Sequence, residues 1–135
     1  MLLKDQIVAS KEAFMKAMKD YPQDEPVTMI NILKFKAKTG RGEETGQEAY
    51  KVYSKNVASL VKKAGAEVVW AGEVKGTIIG DYTDQPHMLL LVKYPNMKAF
   101  MDMAISEAYQ KVKHDREIAL EYGGLLPAMQ IPGLG

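Results

Sequence analysis

The sequence predicts an α+β fold in which one four-stranded antiparallel sheet carries its helices on a single face. Two observations support this prediction. Apolar runs of strand length and segments of helical periodicity follow each other in the order helix, then βαββαβ, and proline or glycine pairs separate them. The length of 135 residues fits one domain with a real core, and 47% hydrophobic with 26% charged residues is ordinary for a globular protein.

Composition and charge exclude several functional classes. The formal net charge of +1 gives no reason to expect a nucleic-acid or acidic partner. The chain has no cysteine, which excludes disulfides, thiol nucleophiles and cysteine-bound metals and fits a reducing compartment. Lys4 and Asp5 lie where a signal peptide would need an apolar run, and the longest aliphatic run, Met88 to Val92, is too short to span a membrane. We therefore expect a cytoplasmic protein.

The first segment has helical periodicity. Its apolar residues recur at helix spacing over a helix predicted from Leu3 to Lys19, and they are Leu3, Ile7, Phe14 and Met18. Alternatively, Ser10 caps a shorter helix. Prolines at positions 22 and 26 end the segment. Residues 1–25 are therefore expected to form an N-terminal helical extension, and residues 26–135 the main domain.

The first predicted strand runs from Val27 to Lys36, and both of its faces are largely apolar. Alternation places Asn31 on one of these faces, together with Val27, Met29, Leu33 and Phe35. Asparagine is a poor strand former, and a buried amide is costly unless it is hydrogen-bonded. Asn31 is therefore a candidate for binding a ligand, or for a structural hydrogen bond to the backbone.

A second helix is predicted from Gly46 to Ala64, after a polar, glycine-rich loop. Thr45 and Glu48 have the spacing of a capping box, in which each side chain satisfies a backbone donor of the first turn. Lysines in the last turn and Gly65 directly afterwards are typical of a helix C-terminus. These signals predict both ends of the helix.

The next stretch, "EVVWAGEVKGTIIGD", is predicted to be extended, with bulges or a bend at its glycines. His87 to Tyr94 is an almost continuous apolar run, as expected for a central strand. Asn96 can cap a short helix, and Ser106 can cap a longer one that we expect to run to about Tyr122.

Gly123–Gly124 is predicted to end the last helix. The final segment, "LLPAMQI", is then expected to form a strand, which Pro127 confines to an edge of the sheet. The order of elements is that of the split βαβ, or ferredoxin-like, fold. Short connections favour the strand order 4-1-3-2. Because the helices cover one face and the other is also apolar, a second copy is expected to cover it, which predicts a homodimer.

Several segments together resemble an uncharacterised bacterial family of the dimeric α/β-barrel superfamily. They are "PVTMINILKFK", "GQEAYKVYSKNVASLVKKAGAEVVWAGEV", "IIGD", "LLLVKYPNMKAFMDM" and "SEAYQKVKHDREIAL", and they cover roughly Val27 to Met129. The resemblance implies a ferredoxin-like protomer whose sheet closes into a barrel across a dimer. It also implies kinship with antibiotic-biosynthesis-type and other cofactor-independent monooxygenases, with muconolactone isomerases and with haem-binding barrels. These proteins bind small aromatic ligands.

The resemblance bears on two individual residues. Asn31 is similar to the strand asparagine of the family motif, and related monooxygenases place an asparagine, a tryptophan and an arginine around an aromatic substrate. Where members often have Trp-Asp before the third strand, this chain has "DQPH", with His87 near the place of the acid. A role shared through that position is therefore not implied for His87.

Four residues are candidates for ligand binding, each with a structural alternative. Asn31 could donate to a ligand oxygen or to the backbone, and Trp70 could wall a pocket or pack in the core. Arg116 lies on a helix stripe aimed at the sheet. It could bind an anionic ligand, snorkel, or pair with Glu73 or Asp81. His87, at a strand entrance, could titrate near neutral pH or lie on the surface.

Two functions follow from this sequence. The first is a small-ligand-binding barrel, acting as a cofactor-independent monooxygenase or isomerase on a small aromatic or lactone compound, with a pocket lined by Asn31, Trp70 and Arg116. The second is a non-catalytic dimeric binding or structural module. No cofactor or metal site is predicted, since two histidines without clustered acids make a weak metal site and no phosphate-binding loop follows a strand. Whether the protein is an enzyme stays open.

Overall fold

The structure, a computed structural model, describes residue 3 and residues 7–134. The helices are α1 (Lys11–Asp20), α2 (Gly46–Lys63), α3 (Met97–Ile105) and α4 (Glu107–Ala119). The strands are β1 (Val27–Phe35), β2 (Glu67–Glu73), β3 (Met88–Tyr94) and β4 (Leu120–Ala128), and a short 3-10 helix, Tyr82–Asp84, precedes β3. The predicted fold, α+β with a leading helix before βαββαβ, is confirmed.

The four strands form one antiparallel sheet in the order β2-β3-β1-β4. This is the predicted order, and it leaves β4 at an edge, where Pro127 costs no ladder hydrogen bond on its outer side. The apolar strands β1 and β3 are central. Asn31 lies opposite Leu90 of β3 and Leu125 of β4, near the middle of the sheet.

Two apolar clusters between sheet and helices form the core. One gathers around Val27 and Met29 of β1 and includes Met97 of α3. The other gathers around Leu33, at the other end of β1, with Tyr50 of α2. Alternation in β1 places these strand residues on the helix-covered face, so the strand pattern read from the sequence sets the position of the core.

The predicted capping residues form their caps. Thr45 and Glu48 make a reciprocal capping box on α2, and Asn96 and Ser106 cap α3 and α4. Ser10 caps α1 by accepting from the N–H of Ala13, which makes this helix shorter than the predicted Leu3–Lys19. Part of the predicted first turn, residues 4–6, lies outside the described residues.

The predicted end of the last helix is wrong. Helix α4 ends at Ala119, not near Tyr122, and Gly123–Gly124 lie inside β4. The reason is tertiary: these glycines pair with Leu33 and Ile32 of β1. A Cβ at position 123 would lie 2.7 Å from Leu120 Cδ1, and one at position 124 would lie 2.8 Å from the Leu3 side chain. The two glycines therefore let the side chains of Leu120 and Leu3 approach the strand closely.

The face of the sheet opposite the helices is apolar. We call it the open face, and cross-strand pairing places on it Ile30, Ile32, Leu89, Leu91 and Leu126. None of these side chains is fully buried, and Leu126 is exposed. A bulge lies between Val68 and Trp70, not at a glycine as predicted, and it places Trp70 opposite Leu91 on the same face. No helix among the described residues is long and apolar enough to cross a membrane.

Candidate functional site

A cleft of about 390 Å³ lies between α1, the helices α3 and α4, and strands β1 and β4. We call it the helix cleft. Helix α1 on one side of the cleft has no buried residue, and its Phe14 stacks on Phe100 of α3 with ring centroids 5.8 Å apart. The walls of the cleft are largely apolar, with Met29 at the sheet and Tyr109 and Arg116 on α4.

Arg116 supplies a cation to the helix cleft. Its side chain is half-buried, and its Nη1 donates to the carbonyl of Ile7 at 2.5 Å while Nη2 donates to that of Gly123 at 3.4 Å. Within the described part of the chain, no carboxylate pairs with it. The expected partners are engaged elsewhere, since Glu73 pairs with Lys75 and the carboxylate of Asp81 accepts from Thr83. The pairing expected with either acid is therefore not observed.

A group of tyrosines lies beside Arg116, between α2 and α4. The hydroxyls of Tyr53 and Tyr109 are 3.0 Å apart, and the rings of Tyr50 and Tyr53 lie 5.3 Å apart. Burial raises the pKa of Tyr50 to about 12, against the opposing effect of the Arg116 charge. Burial also raises the pKa of Tyr53. Tyr50 and Tyr53 are therefore uncharged at neutral pH and do not neutralise Arg116.

Asn31 faces the helical layer but lines neither of the two clefts described here. Its amide nitrogen donates to the carbonyls of Leu90 at 3.2 Å and Met29 at 3.4 Å. These backbone partners satisfy the N–H donors of a polar side chain on an apolar face. The geometry around Asn31 corresponds to the structural alternative.

Trp70 is 54% exposed and lies on the open face, on the other side of the sheet from Asn31. Its ring lies over Gly72, where an added Cβ would come within 2.1 Å of Trp70 Cη2. The glycine thus lets the indole lie flat against the strand. The structure does not bring Asn31, Trp70 and Arg116 into one pocket.

His87 lines a second cleft, of about 820 Å³, at the end of the sheet. Its Nδ1 accepts the backbone N–H of Phe35 at 2.9 Å, and its ring stacks on the Phe35 ring at 5.7 Å. The backbone N–H of His87 donates to the carbonyl of Leu33 at 2.8 Å. The imidazole therefore extends the β1–β3 ladder, and its neutral form carries the proton on Nε2.

The sheet-end cleft is open and carries mixed charges. Lys34 and Lys36 line it together with Glu73 and Glu121, and Lys34 Nζ already donates to the carbonyl of Thr83 at 3.0 Å. In the described part of the chain, no three histidine, aspartate or glutamate side chains gather as metal ligands would. The helix cleft, where no described carboxylate pairs with Arg116, is the better candidate site.

Tyr109, Phe14 and Phe100 were not singled out as site residues from the sequence. Tyr109 lies seven residues before Arg116, and this spacing places both on one side of α4. That signal was available. The approach of Tyr53 across from α2, and of Phe14 onto Phe100, depends on how the helices pack, which local periodicity does not encode.

The profile of one protein family, described as a domain of unknown function (DUF1330), matches residues 41–126. This range includes α2, β2, β3, α3, α4 and most of β4. A search of curated proteins finds no match.

Solved structures resemble the whole fold. The RPA0582 protein of unknown function from Rhodopseudomonas palustris shares 24% identity at a TM-score of 0.86, covering 93% of this chain and 97% of that one. A Bacteroides fragilis protein, described as dimeric, of unknown function and with a ferredoxin-like fold, shares 10% identity at a TM-score of 0.54, covering 81% and 100%. A Bacteroides thetaiotaomicron protein, assigned in its description as an antibiotic biosynthesis monooxygenase, shares 14% identity at a TM-score of 0.50, covering 82% and 95%. At these identities, the likeness shows the fold alone.

Proposed function

The chain belongs to the DUF1330 family of domains of unknown function, and we propose that it binds a small aromatic carboxylate in the helix cleft. One observation carries the proposal: Arg116 is half-buried, opens onto an apolar cleft and has no carboxylate partner among the described residues. A charge taken partly out of water needs compensation. A ligand carboxylate would supply it.

The chemistry of the cleft fits this class of ligand. A guanidinium has five N–H donors, and Arg116 uses two for backbone carbonyls, so three remain for a carboxylate. Phe14 and Phe100 offer apolar surface for an aromatic body. The volume of about 390 Å³ lies within the range of small-molecule sites, roughly 300–1,000 Å³.

The protein is proposed to act as a homodimer that covers the open face. Support comes from the apolar side chains on that face, Ile30 and Leu91 among them, and from the exposed ring of Trp70. A surface of this kind is seldom left in water. The similar Bacteroides fragilis protein is described as dimeric, which agrees with this assembly.

Catalysis is a separate question from binding. The similar Bacteroides thetaiotaomicron protein is assigned as a monooxygenase, but at 14% identity that likeness concerns the fold and carries no reaction over to this chain. The hydrogen bonds of Asn31 to Leu90 and Met29 favour the other candidate, a non-catalytic binding module, because the strand asparagine is already occupied. The proposal is therefore ligand binding.

Calorimetric titration with benzoate, phenylacetate and the neutral benzamide tests the proposal. We expect both carboxylates to bind more tightly than benzamide, and Arg116→Gln to weaken benzoate binding by about tenfold to a hundredfold. This corresponds to losing charged hydrogen bonds of about 1.5–3 kcal/mol. Lys113→Gln is the matched control. Lys113 lines the same cleft, but it already has an anionic partner, since its Nζ lies 3.9 Å from Oε1 of Glu117.

Two results would contradict the proposal: equal binding of benzoate and benzamide by the parent protein, or equal loss in the Lys113 and Arg116 variants. Melting curves show whether Arg116→Gln still folds. If it does not, Arg116→Lys keeps the charge without the planar fork. It should then bind benzoate more weakly than the parent but more tightly than it binds benzamide.

A further inference from the structure

The connection between β2 and β3 carries two isoleucines that make almost no contact with their own protomer. Ile78 is 100% exposed and Ile79 is 95% exposed, between Gly76 and Gly80. We call residues 76–80 the isoleucine arm. Single exposed apolar residues are common, whereas adjacent exposed apolar residues form a contiguous patch, and such patches mark interaction sites.

The base of the arm is held by hydrogen bonds. The N–H of Val74 donates to the carbonyl of His87 at 3.0 Å, and Thr77 Oγ1 donates to Gln85 Oε1 at 2.8 Å. Asp81 caps the following 3-10 helix. The isoleucines are therefore presented outward on a braced loop.

The end of the connection that carries the arm is held on the side of the open face. Lys34 and Tyr122 are paired across β1 and β4, on the strand positions that face away from the helices. Both side chains hold the end of the same connection: Lys34 Nζ donates to the carbonyl of Thr83 at 3.0 Å, and the Tyr122 hydroxyl donates to that of Asp84 at 2.7 Å. A molecule that covers the open face would therefore meet the arm.

We propose that the isoleucine arm of each protomer packs onto the open face of a second copy of this chain, so that two arms are exchanged across the dimer. This inference rests on the homodimer proposed above and adds the contact that holds it together. A two-fold axis makes the exchange reciprocal, because the arm and its acceptor face belong to the same chain. Ile30, Leu91 and Trp70 of the second copy supply an apolar acceptor.

Charge argues against an anionic membrane as the occupant. The flanks of the arm carry three carboxylates, Glu73, Asp81 and Asp84, against one lysine, Lys75. Negative lipid surfaces attract basic segments and would repel these flanks. The apolar part of the open face around Ile30, Leu91 and Trp70 has no such conflict with the arm.

The first experiment uses the absence of cysteine, since Ile78→Cys gives one labelling site. The variant is labelled with a benzophenone maleimide. It is then mixed with 15N-enriched parent protein that carries no benzophenone, and irradiated. Crosslinks to 15N-enriched peptides that contain Ile30, Trp70 or Leu91 are expected. Crosslinks only within the labelled chain, or the same intermolecular yield from the control Val52→Cys on α2, would overturn the proposal.

The second experiment separates the arm from the dimer itself, by sedimentation of three variants. Ile78→Asp with Ile79→Asp should weaken dimerisation about a hundredfold or more, because two buried apolar side chains are lost. Leu91→Lys on the open face should do the same, and Val52→Asp should leave the dissociation constant within about twofold.

Two other results of the sedimentation series would overturn the proposal. Loss of the dimer in Leu91→Lys alone overturns the proposed arm exchange and leaves the homodimer. A monomeric parent protein overturns both proposals. Flotation with phosphatidylglycerol–phosphatidylcholine vesicles adds one more test. If the parent protein floats and the double aspartate variant does not, the tip is a lipid anchor and the proposal fails.

Discussion

Replacing Gly46 by alanine is expected to destabilise the protein, although alanine is the better helix former. Gly46 is the buried first residue of α2, where the ends of β1 and α4 meet. An added Cβ would lie 2.4 Å from the carbonyl oxygen of Ala119, 2.5 Å from that of Lys36 and 2.7 Å from the Lys36 nitrogen. All three are backbone atoms, so no side chain can rotate away.

The magnitude follows from two opposing effects. Replacing a helical glycine gains about 1 kcal/mol. Overpacking costs about 1–3 kcal/mol, and the backbone shift also weakens the hydrogen bonds from Gly46 N to Lys36 O at 3.0 Å and from Lys36 N to Ala119 O at 2.9 Å, at about 1 kcal/mol each. We therefore expect a net loss of about 2–4 kcal/mol in the free energy of unfolding.

Urea denaturation measures this change, with the slope against urea concentration as a check that the same transition is compared. Gly76→Ala is the matched control, because an added Cβ there has no atom within 4 Å and the residue has no positive φ. It should be neutral, or stabilising by up to about 1 kcal/mol. A Gly46→Ala protein as stable as the control would refute the reasoning.

Two further predictions follow from the candidate site. Because the folded-state pKa of Tyr50 is raised to about 12, above about 10 in the unfolded chain, its contribution to stability is complete below pH 10. This contribution is lost as pH rises through 12. Urea titrations at several pH values should show the free energy of unfolding falling over this range, and Tyr50→Phe should reduce the fall. Asn31→Leu should leave benzoate affinity within about twofold in calorimetry, because Asn31 lines neither cleft and bonds to the backbone; a tenfold loss would restore it as a binding residue.

Local sequence signals mispredict this structure where tertiary pairing competes with them. Gly123–Gly124 is a good helix stop by local rules, yet both residues pair with β1, and the helix ends before them. The sequence also predicts that Trp70 walls a pocket with Asn31. The bulge between Val68 and Trp70 interrupts the alternation along β2, and Trp70 lies on the opposite face from Asn31.

Signals that act over a few residues were sufficient for the element order, the caps and the strand order of this protein. The capping box joins Thr45 to Glu48, three residues away, so its geometry is encoded locally. The helix cleft depends instead on Arg116 meeting Ile7, 109 residues distant, and on Tyr53 meeting Tyr109 across 56. Packing of separate elements decides such contacts, because chain distance carries no information about which helix faces which. Only the tertiary structure could place the cation in an apolar cleft.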